Sequence, residues 1–248
     1  YPLIYDSDTL ENVEFGLKSE FGDGRVVFNA VYYDMTVDNQ QIEVIDPANK
    51  LGTFSSQYGN APFQVVVGNV GESTIEGFEL EFRALIGDNL EIGGNYTDIM
   101  DAFVDTNATI SEPRADAGSI PTGLEPRSLL PLMPDQTYNL YLEYSPERPI
   151  LGGSANFRIS YSHVGESLNQ ITDDFVSYRL PQGDYEIMDT SFNLEINDWV
   201  ARVYVSNLTD ERGITYEDTQ DFDPLWGRYS SNVVRPRTFG FSLRKFFR

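Results

Sequence analysis

The chain has 248 residues, long enough for one large β domain, and its 40% hydrophobic and 23% charged residues exclude both a disordered chain and a bundle of membrane helices. A formal net charge of −22, from 39 acidic and 17 basic residues, argues against nucleic-acid binding because a nucleic-acid binder needs a basic surface. No cysteine is present, so disulfides and thiolate metal sites are excluded.

Nine stretches alternate apolar and polar residues, which is typical of β-strands with two different faces. In the first, Val13, Phe15 and Leu17 share one face, and the residues between them are charged or glycine. No run of about eighteen apolar residues occurs, which excludes a membrane-spanning helix, whereas a barrel strand needs only about ten residues with every second one apolar. We therefore predict an all-β chain. The predicted strands are 12–21, 25–35, 74–84, 90–97, 136–144, 154–163, 185–196, 199–207 and 233–248.

The connections between these strands are alternately short and long. Short turns occupy 22–24, 87–89, 145–153 and 197–198, and long polar stretches occupy 38–62, 104–131, 165–184 and 207–234. This alternation is typical of membrane barrels, which have short periplasmic turns and long extracellular loops. Aromatic residues at the ends of the apolar faces, such as Tyr138, Tyr144 and Trp199, indicate girdles at two membrane interfaces. We predict an antiparallel transmembrane β-barrel, with a soluble β-sandwich binding domain as the alternative.

Six stretches resemble the strands of one family, in that family's order and spacing. They are "DSDTLENVEFGLKSEF" (6–21), "GRVVFNAVYYDM" (24–35), "NVGESTIEGFELEFRA" (69–84), "LPLMPDQTYNLYLEY" (130–144), "YVSNLTDERGITY" (204–216) and "RPRTFGFSLRKFF" (235–247). Together they cover nearly the whole chain, which is similar to the TonB-dependent outer-membrane receptors. The resemblance implies a barrel of twenty-two strands with an N-terminal plug inside it, and the nine strands here would be the last nine.

The odd number of predicted strands supports this interpretation independently. Nine antiparallel strands cannot close into a bacterial single-chain barrel, whose strand number is even. Two open edges in lipid would leave backbone groups unpaired, at a cost of several kcal/mol each. The sequence also begins without an initiator methionine or a recognisable leader. We therefore expect residues 1–248 to be a C-terminal fragment of the barrel domain, without the plug and without the segment that contacts TonB.

The last predicted strand resembles the strand that closes the barrel in this family. In the predicted barrel, the apolar face of this strand contacts lipid. The resemblance implies that the strand closes the barrel and that it is similar to the signal read by the barrel-assembly machinery. One departure is that Arg248 follows the final aromatic residue and Lys245 takes a position that is often aromatic. The residues of this apolar face are Phe239, Phe241, Leu243 and Phe247.

A cluster in the last long stretch is the candidate ligand contact. Trp226, Arg228 and Tyr229, hereafter the loop cluster, bring an indole, a guanidinium and a phenol close together. Exposed Trp, Arg and Tyr are common anchors of recognition, and planar ligands stack on indole and phenol. The alternative is that the two aromatic residues belong to the outer girdle.

Three other groups of polar residues are candidates for a catalytic, metal or substrate site. His163 shares a face with Phe157, opposite Ser160 and Ser162, so it has no nucleophile to activate and we predict no enzyme. The stretch "EDTQDFDP" from Glu217 has four acids but not the spacing or glycine of a calcium loop, so we expect a solvated loop and predict no metal or cofactor. Charged residues on the lumen side form either a substrate path or cross-strand pairs with plug contacts: Glu14, Lys18, Glu79, Glu81, Arg83, Glu143, Arg158, Glu195 and Arg202.

The resemblance implies a function in active uptake across the outer membrane of a Gram-negative cell. External loops would bind a scarce small molecule, typically an iron–siderophore chelate, and a TonB-coupled change in the plug would admit it. The implied partners are the TonB energy-coupling complex, the barrel-assembly machinery and outer-membrane lipid, with no nucleic acid. The alternatives are a passive porin and the soluble sandwich domain.

Overall fold

A computed structural model describes residues 6–46, 64–106, 109–111, 119–121, 127–171, 179–218 and 230–247. In these ranges the chain consists of strands and their connections, and it contains no helix that is long and apolar enough to cross a membrane.

The strands are numbered in chain order. The first eight are β1 (Thr9–Phe21), β2 (Val26–Asp46), β3 (Gln64–Ile86), β4 (Leu90–Thr106), β5 (Thr109–Ser111), β6 (Ser119–Pro121), β7 (Ser128–Leu129) and β8 (Gln136–Tyr144). The other eight are β9 (Ser154–Val164), β10 (Ser167–Leu168), β11 (Pro181–Gln182), β12 (Tyr185–Ile196), β13 (Trp199–Ser206), β14 (Ile214–Asp218), β15 (Ser230–Val233) and β16 (Thr238–Lys245).

One antiparallel sheet contains all nine predicted strands. Its order is β1-β2-β3-β4-β8-β9-β12-β13-β16, and the short β7 pairs with β4. Each strand therefore lies beside the next sheet strand along the chain, as in an up-and-down barrel wall. The sheet ends at β1 on one side and at β16 on the other. The prediction of an all-β antiparallel fold with nine principal strands is confirmed.

The two ends of the sheet differ. The four short connections lie at the turn end. They contain residues in the left-handed backbone conformation, such as Asp23 (φ 55°) and Asn197 (φ 50°), which Asn, Asp and Gly adopt with little strain. At the loop end lie the long connections, where the two-stranded sheets β5–β6, β10–β11 and β14–β15 are found. The prediction of a loop from residue 38 was wrong, because β2 continues to Asp46 and β3 begins at Gln64.

The apolar face of the sheet is exposed. Phe15, Phe239 and Phe241 expose 70%, 73% and 66% of their surface, although a β-sandwich would bury such residues between its two layers. Aromatic rings form rows on this face: Tyr144, Phe157 and Phe192 towards the turn end, and Phe78, Tyr96, Tyr138 and Tyr161 towards the loop end. The exposed apolar surface and the aromatic rows agree with a membrane-facing wall, and the soluble sandwich alternative is wrong.

Most of the buried residues in the described ranges lie at the loop end of the sheet, and one group of them is on β3 and β4. Val104 and Ser73 pair across these strands and are both fully buried, and Phe103 is 9% exposed and pairs with Leu129 of β7. The guanidinium of Arg127 lies 3.6 Å from the centroid of the Phe103 ring and forms an ion pair of 2.9 Å with Asp101. These contacts fold the chain after β4 back against the sheet.

Candidate functional site

The polar face of the sheet carries a chain of polar contacts across five strands, hereafter the polar ladder. Arg83 on β3 forms an ion pair with Glu91 on β4 at 3.2 Å, and the hydroxyl of Tyr141 on β8 donates to the other oxygen of Glu91 at 2.8 Å. On β9, Arg158 pairs with Glu143 at 2.9 Å. The ladder continues through two amides, since Asn156 donates to Glu143 at 2.8 Å and Asn193 on β12 donates to Asn156 at 3.3 Å.

Tyr141 is the centre of this ladder. Its strand partner is Gly93, and a Cβ at Gly93 would lie 2.6–2.8 Å from three atoms of the phenol, so the ring lies flat over the glycine. The guanidinium of Arg158 lies over the other side of the ring, 4.1 Å from its centroid. The same arrangement, a tyrosine opposite a glycine on this face, recurs at Tyr33↔Gly77 and Tyr204↔Gly240.

A cavity of about 550 Å³ lies on the polar face beside the ladder. Its wall mixes both signs of charge with amides, including Lys18 and Glu79, and Asn29 donates to Glu81 at 2.9 Å. In the part of the chain that the structure describes, no three His, Asp or Glu side chains are grouped so as to hold a metal ion. The wall can therefore bind polar groups through hydrogen bonds and charges.

For some of the charged residues on the predicted lumen side, the structure shows whether they form cross-strand pairs. Arg158 pairs with Glu143 across neighbouring strands, and Arg83 pairs with Glu91, a residue not in the predicted set. Cross-strand pairing is thus confirmed for these residues. His163 lies on the apolar face, where its ring stacks on Tyr138 at 4.9 Å, and Ser162 accepts a hydrogen bond from Asn139 on the polar face. The predicted separation of this histidine from its neighbouring serines is confirmed.

The base of the last long loop is closed by two side chains in the sequence "NLTD". Asn207 is 3% exposed, and its amide donates to the carbonyls of Glu211 and Arg235 at 2.9 Å each. Asp210 accepts the backbone N–H of Arg237 at 2.9 Å and the guanidinium of Arg212 at 3.2 Å. The N–H of Arg237 is the main cause that holds the pKa of Asp210 below its ordinary value. This role of Asn207 and Asp210 was not predicted from the sequence.

The loop cluster of Trp226, Arg228 and Tyr229 lies outside the described residues, between β14 and β15 in the sequence. Its assignment to ligand contact stays a prediction. The expectation that the acidic stretch from Glu217 is solvated is wrong for Glu217 itself. This residue is part of β14, only 9% exposed, and its carboxylate accepts the hydroxyl of Ser231 at 2.7 Å.

The closing strand has the predicted faces over most of its length. Phe239, Phe241 and Leu243 pair with the apolar-face residues of β13 and are more than half exposed. The strand ends at Lys245, so Phe247 follows the strand instead of lying in it, and 85% of its surface is exposed. The ammonium of Lys245 lies 5.1 Å from the ring centroids of Trp199 and Phe247. A role of these residues in assembly stays a prediction.

Comparison with solved structures gives the same fold. The ferric yersiniabactin uptake receptor FyuA from Yersinia pestis is 17% identical, with a TM-score of 0.63 over 96% of this chain and 30% of its own. The siderophore receptor PiuA from Acinetobacter baumannii is 18% identical, with a TM-score of 0.64 over 94% of this chain and 28% of its own. The copper transporter OprC is 15% identical, with a TM-score of 0.64 over 95% of this chain and 32% of its own.

This chain therefore spans about a third or less of the structures it matches. No curated protein matches the sequence. A sequence model of the TonB dependent receptor-like β-barrel family matches residues 6–208, which is most of the chain. The family is described as receptor-like, and the three solved structures are named as two receptors and a transporter. The chain belongs to the TonB-dependent receptor β-barrel family.

Proposed function

We propose that this chain forms part of the barrel of a Gram-negative outer-membrane receptor that imports a scarce solute with energy delivered by TonB. The family match over residues 6–208 carries this proposal. The solute class is a ferric siderophore chelate, which is supported by the uptake named for FyuA and the siderophore receptor PiuA. The copper transporter OprC has the same fold, so the fold alone does not fix the solute.

The two faces of the sheet fit this location. The exposed Phe, Leu and Tyr side chains of one face can contact lipid, and the polar ladder of the other face can line a lumen. The sheet ends at β1 and β16, whose outer edges need partners before a barrel can close. We propose that the remaining barrel strands, the plug and the segment that contacts TonB belong to the intact receptor, of which residues 1–248 are the C-terminal part.

Assembly of this barrel would depend on the last strand. Phe239, Phe241 and Leu243 present a continuous apolar face of the strand that lies at the edge of the sheet. We propose that this strand completes the barrel by pairing with the first strand of the intact receptor, and that the barrel-assembly machinery recognises it.

The test is uptake by cells that express the intact receptor as their only receptor of this type. Radioactive iron would be presented on catecholate and on hydroxamate chelates, with and without a functional TonB. Uptake of at least one ferric chelate that disappears without TonB is expected. Uptake that persists without TonB, together with steady conductance of the purified protein in a bilayer, would identify a passive porin instead. TonB-dependent uptake of copper salts without any uptake of ferric chelates would refute the solute class only.

A further inference from the structure

Two hairpins at the loop end are joined to each other. The β10–β11 hairpin belongs to the loop between β9 and β12, and the β14–β15 hairpin belongs to the loop between β13 and β16. They meet where the N–H of Gly183 donates to the carbonyl of Ile214 at 3.0 Å. Gly183 has φ +90°, and a Cβ there would clash with the carbonyl oxygen of Gly165, so this junction requires glycine. Consecutive long loops are therefore in direct backbone contact.

Two amide side chains extend this junction by binding the backbone of one residue. Gln182 accepts the backbone N–H of Glu217 at 3.0 Å, and Asn169 donates to the backbone carbonyl of Glu217 at 3.2 Å. Asn169 also closes its own hairpin, because its side-chain oxygen accepts the N–H of Leu180 at 2.7 Å. The two amides thus add two side-chain hydrogen bonds between the hairpins to the single backbone bridge at Gly183.

The burial of these groups makes their hydrogen bonds important. Asn169 and Gln182 are each 7% exposed, and Glu217 is 9% exposed. A buried backbone group that loses its partner costs its full desolvation penalty, whereas an exposed one can bind water. Separation of the two hairpins would expose or orphan both backbone groups of Glu217 together. The hairpins consequently have one strongly preferred arrangement.

We propose that Asn169, Gln182 and Glu217 form a clamp that holds the two loops as one rigid platform on the external face, and that this platform pre-organises the receptor for solute capture. They are positioning residues, since they act through the loops that they join. A rigid platform loses less conformational entropy on binding than two independent loops, which raises affinity without a new contact. The role in capture rests on the proposed function, whereas the clamp itself does not.

The clamp is tested by amide hydrogen exchange of the intact receptor in detergent. Gln182→Met keeps the length and apolar stem of the side chain but removes the acceptor for Glu217. The reporter is the amide of Gly183, which is bonded across the junction but not to the altered side chain. Loss of one buried hydrogen bond, equivalent to about 1.4 kcal/mol, should accelerate its exchange about tenfold. Ser231→Ala is the matched control, because it removes a Glu217 contact within one hairpin and should leave Gly183 unchanged.

The second readout is binding of radioactive iron on the catecholate and hydroxamate chelates to whole cells, corrected for receptor abundance. Gln182→Met should weaken the binding of the chelate that the unaltered receptor takes up by about tenfold, and Ser231→Ala should not. Asn169→Ala provides a second break of the clamp and should act like Gln182→Met in both readouts. Unchanged exchange at Gly183 in both variants would refute the clamp. Faster exchange with unchanged chelate binding would refute the role of the clamp in capture. Absence of any chelate binding by the unaltered receptor would refute the proposed solute. In that case the hydrogen-exchange result still tests the clamp by itself.

Discussion

The flat packing of Tyr141 against Gly93 gives the sharpest test of the polar ladder. In Gly93→Ala, the new methyl carbon would lie 2.6–2.8 Å from Oη, Cζ and Cε1 of the Tyr141 ring. Favourable contacts between carbon atoms lie near 3.5–4.0 Å, so either the ring or the strand must move. Overpacking of this kind costs about 1–3 kcal/mol.

Movement of the ring would also break its other contacts. The hydroxyl would leave Glu91, now 2.8 Å away, and the face of the ring would leave the Arg158 guanidinium, now 4.1 Å from the centroid. A hydrogen bond to a charged group contributes about 1.5–3 kcal/mol, and a partly exposed cation–π contact contributes about 0.5–1 kcal/mol. If the ring moves away, the clash is relieved but the two contacts are lost. The cost of overpacking and the cost of the lost contacts are therefore not simply added. We expect the free energy of unfolding to fall by about 2–3 kcal/mol.

The assay is urea unfolding of the intact receptor in detergent, followed by the difference in gel mobility between the folded and the boiled form. Gly16→Ala is the matched control, because Gly16 also lies within a strand on the polar face and a Cβ there meets its nearest neighbours at 3.5 and 3.6 Å. We expect this control to be neutral or more stable by up to about 1 kcal/mol. The cost of Gly93→Ala should largely disappear in a Tyr141→Ala background. Equal stability of the two glycine variants would refute the reasoning.

Three further predictions concern the faces, the loop base and the ligand. Leu140→Arg places a charge on the apolar face, which costs about 2–4 kcal/mol if that face contacts lipid. The outer-membrane abundance of the receptor should therefore fall far more than for Asn139→Arg on the polar face, and equal abundance of the two variants would mean that the faces are misassigned. Asp210→Asn should lower the melting temperature at pH 7, because the lowered pKa of Asp210 stabilises the fold at pH values above the ordinary aspartate pKa. This difference from the unaltered receptor should shrink as the pH falls through the lowered pKa, where the carboxyl is protonated in the folded state as well; a difference that does not change with pH would exclude a charge effect. Replacement of the loop cluster by alanine should weaken whole-cell binding of the ferric chelate at unchanged abundance, whereas a joint loss of binding and abundance would assign the cluster to the girdle.

The nine principal strands could be predicted because the sheet has one apolar and one polar face, which gives a strict period of two. On the apolar face each second residue is apolar, as at Phe239, Phe241 and Leu243. The extension of β2 to Asp46 was missed because the alternation is interrupted. The strand crosses the polar run "DNQQ", where Asn39 has φ 57° and the register with β3 shifts around Gln40, and such a run is more typical of a loop than of a strand.

The contacts of the candidate sites could not be predicted, because they depend on register across long connections. Tyr141 lies over Gly93 only because β8 pairs with β4 in one register, and these strands are separated by a long loop. Asn169 and Glu217 are 48 positions apart in the sequence. Their residue types carry little signal, since Asn and Glu are common in exposed loops. By contrast, "NLTD" after β13 has the Asn and Asp residues that often organise turns, and this signal was available.

The sheet and its loop end are stabilised by different kinds of polar contact. In the polar ladder, ionised groups pair while partly exposed: the side chains of Arg83 and Arg158 are 44% and 41% exposed, so water offsets much of the desolvation cost of the charges. At the loop end, the contacts between hairpins are nine-tenths buried, and neutral amides of Asn169 and Gln182 bind backbone groups there. The neutral amides therefore add no further charge beside the Glu217 carboxylate, which is itself only 9% exposed. In a chain with a net charge of −22, contacts between loops through amides also avoid the repulsion that further carboxylates would add, so the proposed platform is compatible with the acidic composition of the chain.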